Sequence, residues 1–201
     1  MHGIQERELD GNPLREFEKW FDKARASGEA LPEAMALATA SPAGIPSVRM
    51  VLFKGIYEGG FELFTNFQSR KSQEIEANPR AAIVFWWPRL QLQVRCEGRV
   101  EKVEAARADE YFRTRPRGSQ IGAWVSHQSQ VIPDRAYLQR RAQAFEKTYS
   151  GLQVPRPPFW GGFRLIPDTM EFWHGQANRL HDRFRYRQSG TQGWVLERLS
   201  P

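Results

Sequence analysis

From residue 34 onward the sequence breaks into short runs of strand-forming residues separated by turn formers, and this punctuation restricts the chain to a sheet-based fold. "AMALATA" (34–40), "SVRMVLF" (47–53) and "FELFTNF" (61–67) are divided by "SPAGIP" and "GIYEGG", which carry the glycines and prolines that reverse a chain. "AAIVFWW" (81–87) and "LQLQVRCEGRV" (90–100) follow. In the second of these, Leu90, Leu92, Val94 and Cys96 alternate with Gln91, Gln93, Arg95 and Glu97, the period of a strand with one buried face. "PPFWGGFRLI", "MEFWHG", "RLHDRFRY" and "GWVLERL" supply four more extended pieces. Many short strands joined mostly by tight turns, with helices inserted, predict an antiparallel barrel rather than a doubly wound sheet.

Helical periodicity occurs in four places. "NPLREFEKWFDKARAS" sets Leu14, Phe17, Phe21 and Ala24 on one stripe, with Pro13 in the first turn where a missing amide donor is harmless. "SRKSQEIEA" forms a short helix from Ser69 that ends at "NPR". "VEAARADEYFRTRP" is stopped by Pro116, and "PDRAYLQRRAQAFEKTY" forms another helix. The intervening "RGSQIGAWVSHQSQ" reads as a loop.

At 201 residues and 40% hydrophobic, the chain suits one domain over 1–201, with an N-terminal helical segment (1–30) and a barrel with inserted helices (34–201). A lone Cys96 excludes an internal disulfide. With no leader and no apolar run near ~18 residues long, the expectation is a cytoplasmic protein with no membrane partner. The net charge of +6 suits nucleic acid, an anionic surface or small phosphorylated ligands. Its spread along the whole chain, without any nucleic-acid-binding pattern, makes nucleic acid the second choice. Seven tryptophans among 12% aromatics suggest a planar ligand or a partner subunit.

Several catalytic signatures are missing: there is no dinucleotide fingerprint, Walker loop, serine elbow or paired-cysteine spacing. His2, His127, His174 and His181 are too scattered to name a metal site. The informative residues are cations in unusual places. Ser69-Arg70-Lys71 opens a helix, where the dipole disfavours positive charge and free amides favour an anion such as phosphate; two solvated side chains are an equal alternative. Arg49 and Lys54 interrupt an apolar strand, face opposite sides of it unless a bulge or bend intervenes, and need pairing from a bound anion or a subunit interface. Tyr111 and Arg115 share a helical face with Ser119 just beyond, so the three could meet a second phosphate, although Arg at a helix C-terminus already complements the dipole. Gln93 and the pair Gln128-Ser129 offer neutral hydrogen-bonding groups for the edge of a heteroaromatic ring. In "RLHDRFRY", read as a strand, Arg179, His181 and Arg183 share one face, opposite Leu180, Asp182 and Phe184; such a face calls for anions, and the alternative, which taken alone is the commoner case, is a solvated edge strand with Asp182 as a local partner.

Taken in order, "RMVLFK", "LFTNFQSRKSQEIEANPR", "YFRTRPRGSQIGAWVSHQS", "FWGGFR", "EFWHG" and "RLHDRF" resemble the pyridoxine/pyridoxamine 5′-phosphate oxidases, from about residue 34 to the C-terminus. The resemblance implies a mainly β fold with helices (α+β): an antiparallel split β-barrel binding FMN non-covalently at a homodimer interface. It assigns FMN contacts to Arg49, Met50, Val51, Leu52, Phe53, Lys54, Phe64, Thr65, Arg70, Lys71, Gln93, Gln128, Ser129, Trp173 and Arg183. Arg70 and Lys71 are the implied ligands of the FMN phosphate. It places the substrate phosphate on Tyr111, Arg115 and Ser119, and the substrate ring near Lys54, Arg179, Leu180 and His181, with Arg179 and His181 as the catalytic candidates.

The implied reaction oxidises pyridoxamine or pyridoxine 5′-phosphate to pyridoxal 5′-phosphate and reduces O2 to H2O2, with no nucleic-acid partner and no metal. The chain departs from the family pattern at its short start, "MHGIQERELDGNP", at Thr114 in place of Ser, and at Phe64 in place of Tyr. Two alternatives stand beside this reading: a phenazine-biosynthesis type of FMN oxidase, which would lose the substrate set, and a basic non-enzymatic domain binding nucleic acid or heme.

Overall fold

A computed structural model describes residues 3–190 and 193–201, so that His2 lies outside the described residues. After a 3-10 turn at Glu6–Glu8 comes α1 (Pro13–Ala26). Asn12 caps it by accepting the Leu14 amide, and Pro13 occupies the first turn, as expected. The strands are β1 (Ala34–Ala40), β2 (Pro46–Leu52), β3 (Ile56–Tyr57), β4 (Gly60–Asn66), β5 (Arg80–Trp87), β6 (Leu92–Lys102), β7 (Trp160–His174), β8 (Asp182–Gln188) and β9 (Trp194–Arg198). The helices α2 (Arg70–Ala77), α3 (Ala105–Thr114), α4 (Arg117–Val125) and α5 (Arg135–Thr148) lie between them.

All nine strands join one antiparallel sheet in the order β2-β1-β5-β6-β7-β4-β3, with β8 and β9 continuing from β7. β3 continues β2 beyond a kink at Gly55, whose φ of +134° only glycine adopts readily. Through that kink the Lys54 amide donates to the Glu62 carbonyl and the Glu62 amide to the Gly55 carbonyl, both at 2.9 Å. The chain's own continuity thereby curls the β2 end of the sheet against β4 in the manner of a split barrel, while β2 pairs otherwise only with β1 and β9 only with β8, so the sheet stays open at those edges.

The barrel interior is aromatic. Phe53, Phe61, Phe85, Trp87 and Phe172 pack with the α1 stripe, whose central members are Phe17 and Trp20. A second, smaller cluster joins α3, α4 and the start of β7 through Phe112, Ile121, Val125 and Trp160.

The structure corrects three local expectations. "PPFWGGFRLI" and "MEFWHG" are one 15-residue strand, not two pieces. Its interruption at Pro167-Asp168 is a bulge: Gly98 of β6 pairs with Pro167 while Glu97 pairs with Thr169. A bulge tolerates a proline that cannot donate to the ladder, and Gly98 must lack a side chain because a Cβ there would overlap the Ile166 carbonyl. Second, "RGSQIGAWV" is helix α4 rather than loop. Two glycines lower its propensity, but burial of Ile121, Ala123 and Val125 outweighs that cost. Third, Arg179 is not on a strand with Arg183: it ends a 3-10 turn (Ala177–Arg179), and β8 begins only at Asp182.

Candidate functional site

Where β2, β4, the start of α2 and the α3–α4 corner meet, they enclose a cavity of about 1070 Å³. This is at the upper end of small-molecule sites. Arg49, Met50, Val51, Leu52, Lys54, Phe64, Thr65, Arg70, Lys71, Tyr111, Arg115, Ser119, Gln128 and Ser129 all border it. Arg49 and Lys54, five residues apart, reach the same space because β2 ends at Leu52 and the chain bends through Gly55. The Phe53 side chain instead turns into the core against Phe17 and Phe61.

Lys71 is the most constrained cation of the cavity. Its ammonium donates to Gln128 Oε1 at 2.8 Å, Thr65 Oγ1 at 2.9 Å and Ser69 Oγ at 3.1 Å. All three acceptors are neutral. Burial, and then the charge of Arg49, pull its pKa down to about 8. Ser129 holds a left-handed backbone at φ +72° and receives the Arg70 amide at the N-terminus of α2.

Glu74, which the sequence reading did not single out, organises Arg49 and Arg70. One carboxylate oxygen accepts Arg70 Nε at 2.8 Å. The other accepts the Thr39 and Ser47 hydroxyls, both at 2.5 Å, and lies 3.4 Å from Arg49. Burial on its own would raise this carboxyl, but the hydrogen bonds from Ser47, Thr39 and Arg70 outweigh it and hold the pKa at about 2. The pairing predicted for Arg49 is thus internal. The only sequence trace of Glu74's role was the i,i+4 spacing from Arg70. At this end of the cavity Arg49, Arg70 and Lys71 against the one carboxylate of Glu74 leave two positive charges, a match for a phosphate dianion.

At the other end of the cavity Arg115 closes α3. One of its guanidinium nitrogens is buried with no hydrogen-bond partner, and the group lies over the Trp160 ring at 4.6 Å. Burial lowers its pKa from the ordinary guanidinium value, opposed by Tyr111. The rings of Tyr111 and Phe64 stack with centroids 4.1 Å apart, and Phe64 stacks in turn on Trp160 at 5.6 Å. Phe64 therefore serves as a spacer between two aromatic walls. Trp160, from "FWGGFR", is a further cavity residue absent from the expected set.

The remaining expected residues lie elsewhere. Gln93, Trp173 and Arg183 are in register across β6, β7 and β8. Trp173 packs on His181 at 4.6 Å, and Arg183 donates to Glu171 at 2.9 Å and to the Ser200 carbonyl at 2.9 Å. The hydrogen bond to Glu171 raises the Arg183 pKa. Arg179 and Leu180 are exposed. None of these six residues borders the cavity. Gly162, which pairs with Phe64 at the cavity wall, and Trp173 are eleven residues apart on β7, roughly 36 Å of strand at 3.3 Å per residue. Among the described residues no cluster of His, Cys, Asp and Glu could hold a metal ion, and no helix is long and apolar enough to cross a membrane.

An antiparallel sheet curled as a split barrel, with a basic, aromatic-walled cavity at the N-terminus of α2, has the charge and shape that suit a phosphorylated, planar ligand. The chain belongs to the pyridoxamine 5′-phosphate oxidase family: residues 21–149 match that family, and residues 160–201 match the C-terminal dimerisation region of pyridoxine 5′-phosphate oxidases. It is 52% identical to the pyridoxine/pyridoxamine 5′-phosphate oxidase of Nostoc punctiforme, over 100% of this chain and 94% of that protein. The protein of the same name from Rubrobacter xylanophilus is 50% identical over 99% of this chain and 91% of its own length. Among solved structures, PhzG from Burkholderia lata, in complex with tetrahydrophenazine-1-carboxylic acid, superimposes with a TM-score of 0.91 at 31% identity, covering 96% of this chain and 94% of that one.

Proposed function

We propose that the protein is an FMN-dependent oxidase of pyridoxamine 5′-phosphate and pyridoxine 5′-phosphate, working in the cytoplasm as a homodimer with two sites shared between subunits. The observation that carries this reading is the pair of anion sites at opposite ends of one cavity: Arg49, Arg70 and Lys71 with a surplus of two charges, and the unpartnered Arg115 nitrogen beside Tyr111 and Ser119. The first fits the FMN phosphate and the second the substrate phosphate, with the planar rings lying between them. FMN held there would supply a two-electron acceptor for a hydride from the substrate's 4′ carbon, with O2 as the final acceptor reduced to H2O2; the alcohol would give the aldehyde directly, and the amine an imine that water hydrolyses to the aldehyde and ammonia.

The chain's own residues bind and orient. Gln128 and Thr65 hold the Lys71 ammonium toward the cofactor phosphate, and Glu74 fixes the directions of Arg49 and Arg70. Lys54 lies 5.9 Å from the centre of the Tyr111 ring, in position to approach the substrate ring. Gln93, Trp173, Arg179, Leu180, His181 and Arg183 complete the site from the second subunit, because in one chain they are too far along β7 to meet the cavity. The exposed apolar face of β2, formed by Val48, Met50 and Leu52, together with Trp86, is a suitable contact for that subunit. The PhzG likeness makes a phenazine-type oxidase the competing reading, which the retained Tyr111, Arg115 and Ser119 oppose.

Purified protein is expected to be yellow and to convert pyridoxamine 5′-phosphate in air to the aldehyde, with one H2O2 formed for each turnover. A colourless protein that leaves this substrate untouched after FMN is added would refute the proposal.

A further inference from the structure

Residues 175–181, between β7 and β8, are held more firmly than an exposed connection requires. Asn178 and Arg179 both adopt left-handed backbones, with φ of 57° and 60°. Consecutive non-glycine residues persist there only when surrounding contacts fix them. Those contacts converge on Gln176 and Asp182. The Gln176 backbone N–H donates to His181 Nδ1 at 3.1 Å. Its side-chain amide donates to Asp182 Oδ2 at 3.0 Å and lies 3.1 Å from His174 Nδ1. The buried Asp182 carboxylate also accepts the Ile4 amide at 3.0 Å and Arg198 at 2.9 Å. A Cβ on Gly3 would crowd the same carboxylate at 2.9 Å. Arg198 further reaches the Ile4 carbonyl at 2.9 Å and Glu6 at 2.7 Å. The start of the chain, its last strand and this loop therefore meet at Asp182.

The consequence for His181 follows from donor and acceptor counting. A neutral imidazole has one N–H and one lone pair, and a backbone N–H can only donate. Nδ1 must then accept, and the ring proton resides on Nε2. Trp173, packed at 4.6 Å, fixes the ring from one side.

We propose that Gln176 is a positioning residue that locks His181 in the Nε2–H tautomer, so that His181 meets the substrate as a hydrogen-bond donor and not as a proton acceptor, with Asp182 and the N-terminal strap anchoring the arrangement. This rests on the reading above that His181 faces the substrate ring, whose ionised ring oxygen is a suitable acceptor.

Long-range 1H–15N spectra of the FMN-loaded dimer labelled with 15N-histidine test it directly, with His181 assigned by the loss of its signals in His181→Asn. The expected pattern for the neutral ring is a protonated Nε2 and a bare Nδ1. Gln176→Ala, which retains the backbone N–H, keeps that pattern. Gln176→Pro, which removes it, gives averaged nitrogen shifts and a kcat lower by about tenfold or more, with flavin content and KM little changed. A protonated Nδ1 in the unmodified protein, or an unaltered tautomer and kcat in Gln176→Pro, would overturn the proposal. The tautomer is read without turnover, so its failure is distinct from a failure of the oxidase reading, which would appear as absent flavin or absent product.

Discussion

Arg70 Nε and Glu74 Oε1 are 2.8 Å apart across one turn of α2, and the second oxygen of the same carboxylate holds Ser47 and Thr39 and faces Arg49. A buried acid is thereby satisfied by four donors from three elements. It also limits how far the two guanidinium groups can move when an anion arrives.

The Glu74 pKa of about 2 has a direct stability consequence. Its folded value lies below the ordinary carboxylate value of 4.5, so its contribution is complete above about pH 4.5 and is lost as pH falls from there toward 2. Glu74→Gln is expected to lower Tm at pH 7 by roughly 4–8 °C, for a loss of about 2 kcal/mol. Thermal melts of both proteins between pH 7 and pH 3 should show the gap narrowing with acid. A gap independent of pH would show that the carboxylate charge is not what matters.

Lys71 titrates at about 8. Because this is below the unfolded value, the buried ammonium costs stability under pH 8, and the cost fades as pH rises from 8 toward 10.5. A phosphate dianion beside it reverses the shift, so FMN binding at pH 8–9 should take up protons while riboflavin binding should not. Calorimetry in two buffers of different ionisation enthalpy measures the uptake. Lys71→Met should weaken FMN binding by about ten- to a hundredfold, the worth of a charge-assisted hydrogen bond, without lowering the Tm of the flavin-free protein.

Arg115 carries a buried nitrogen with no partner. Removing it costs the flavin-free fold little, because no hydrogen bond of that nitrogen is broken. Arg115→Leu is expected to raise KM for pyridoxamine 5′-phosphate by about ten- to a hundredfold, with flavin content unchanged and with little effect on a substrate lacking phosphate. Equal losses for both substrates would remove Arg115 from the phosphate site.

Gly98 sits opposite the β7 bulge with no room for a Cβ against the Ile166 carbonyl. Gly98→Ala should destabilise by about 1–3 kcal/mol through forced backbone movement, seen as an earlier chemical-denaturation midpoint. An unchanged midpoint would mean that the bulge is not a fixed element of the barrel.

Much of the fold was readable because period-two alternation and turn chemistry are local. β1 spans the "AMALATA" run, and β6 buries Leu92, Val94 and Cys96 as their alternation requires. The failures have non-local causes. β7 looked like two strands because Pro167 interrupts the pattern, and only its pairing with Gly98 turns that interruption into a bulge. α4 looked like a loop because Gly118 and Gly122 hide a buried face that exists only against Trp160 and Phe112. At the cavity, cations next to turn signals were conspicuous, whereas Glu74 was not: its hydroxyl partners lie 35 and 27 residues away on β1 and β2. The residues around Trp173 and Arg179 were grouped with the cavity by motif, yet the single chain keeps them apart.

That separation makes mixed dimers the most direct test of a site shared between subunits. Arg115→Ala and Arg179→Ala subunits, each nearly inactive alone, are co-refolded in equal amounts. Random pairing makes about half the dimers hybrid, and each hybrid regains one intact site, so about a quarter of the unmodified activity should return. No recovery, with hybrid dimers verified by mass, would contradict a site built from both chains.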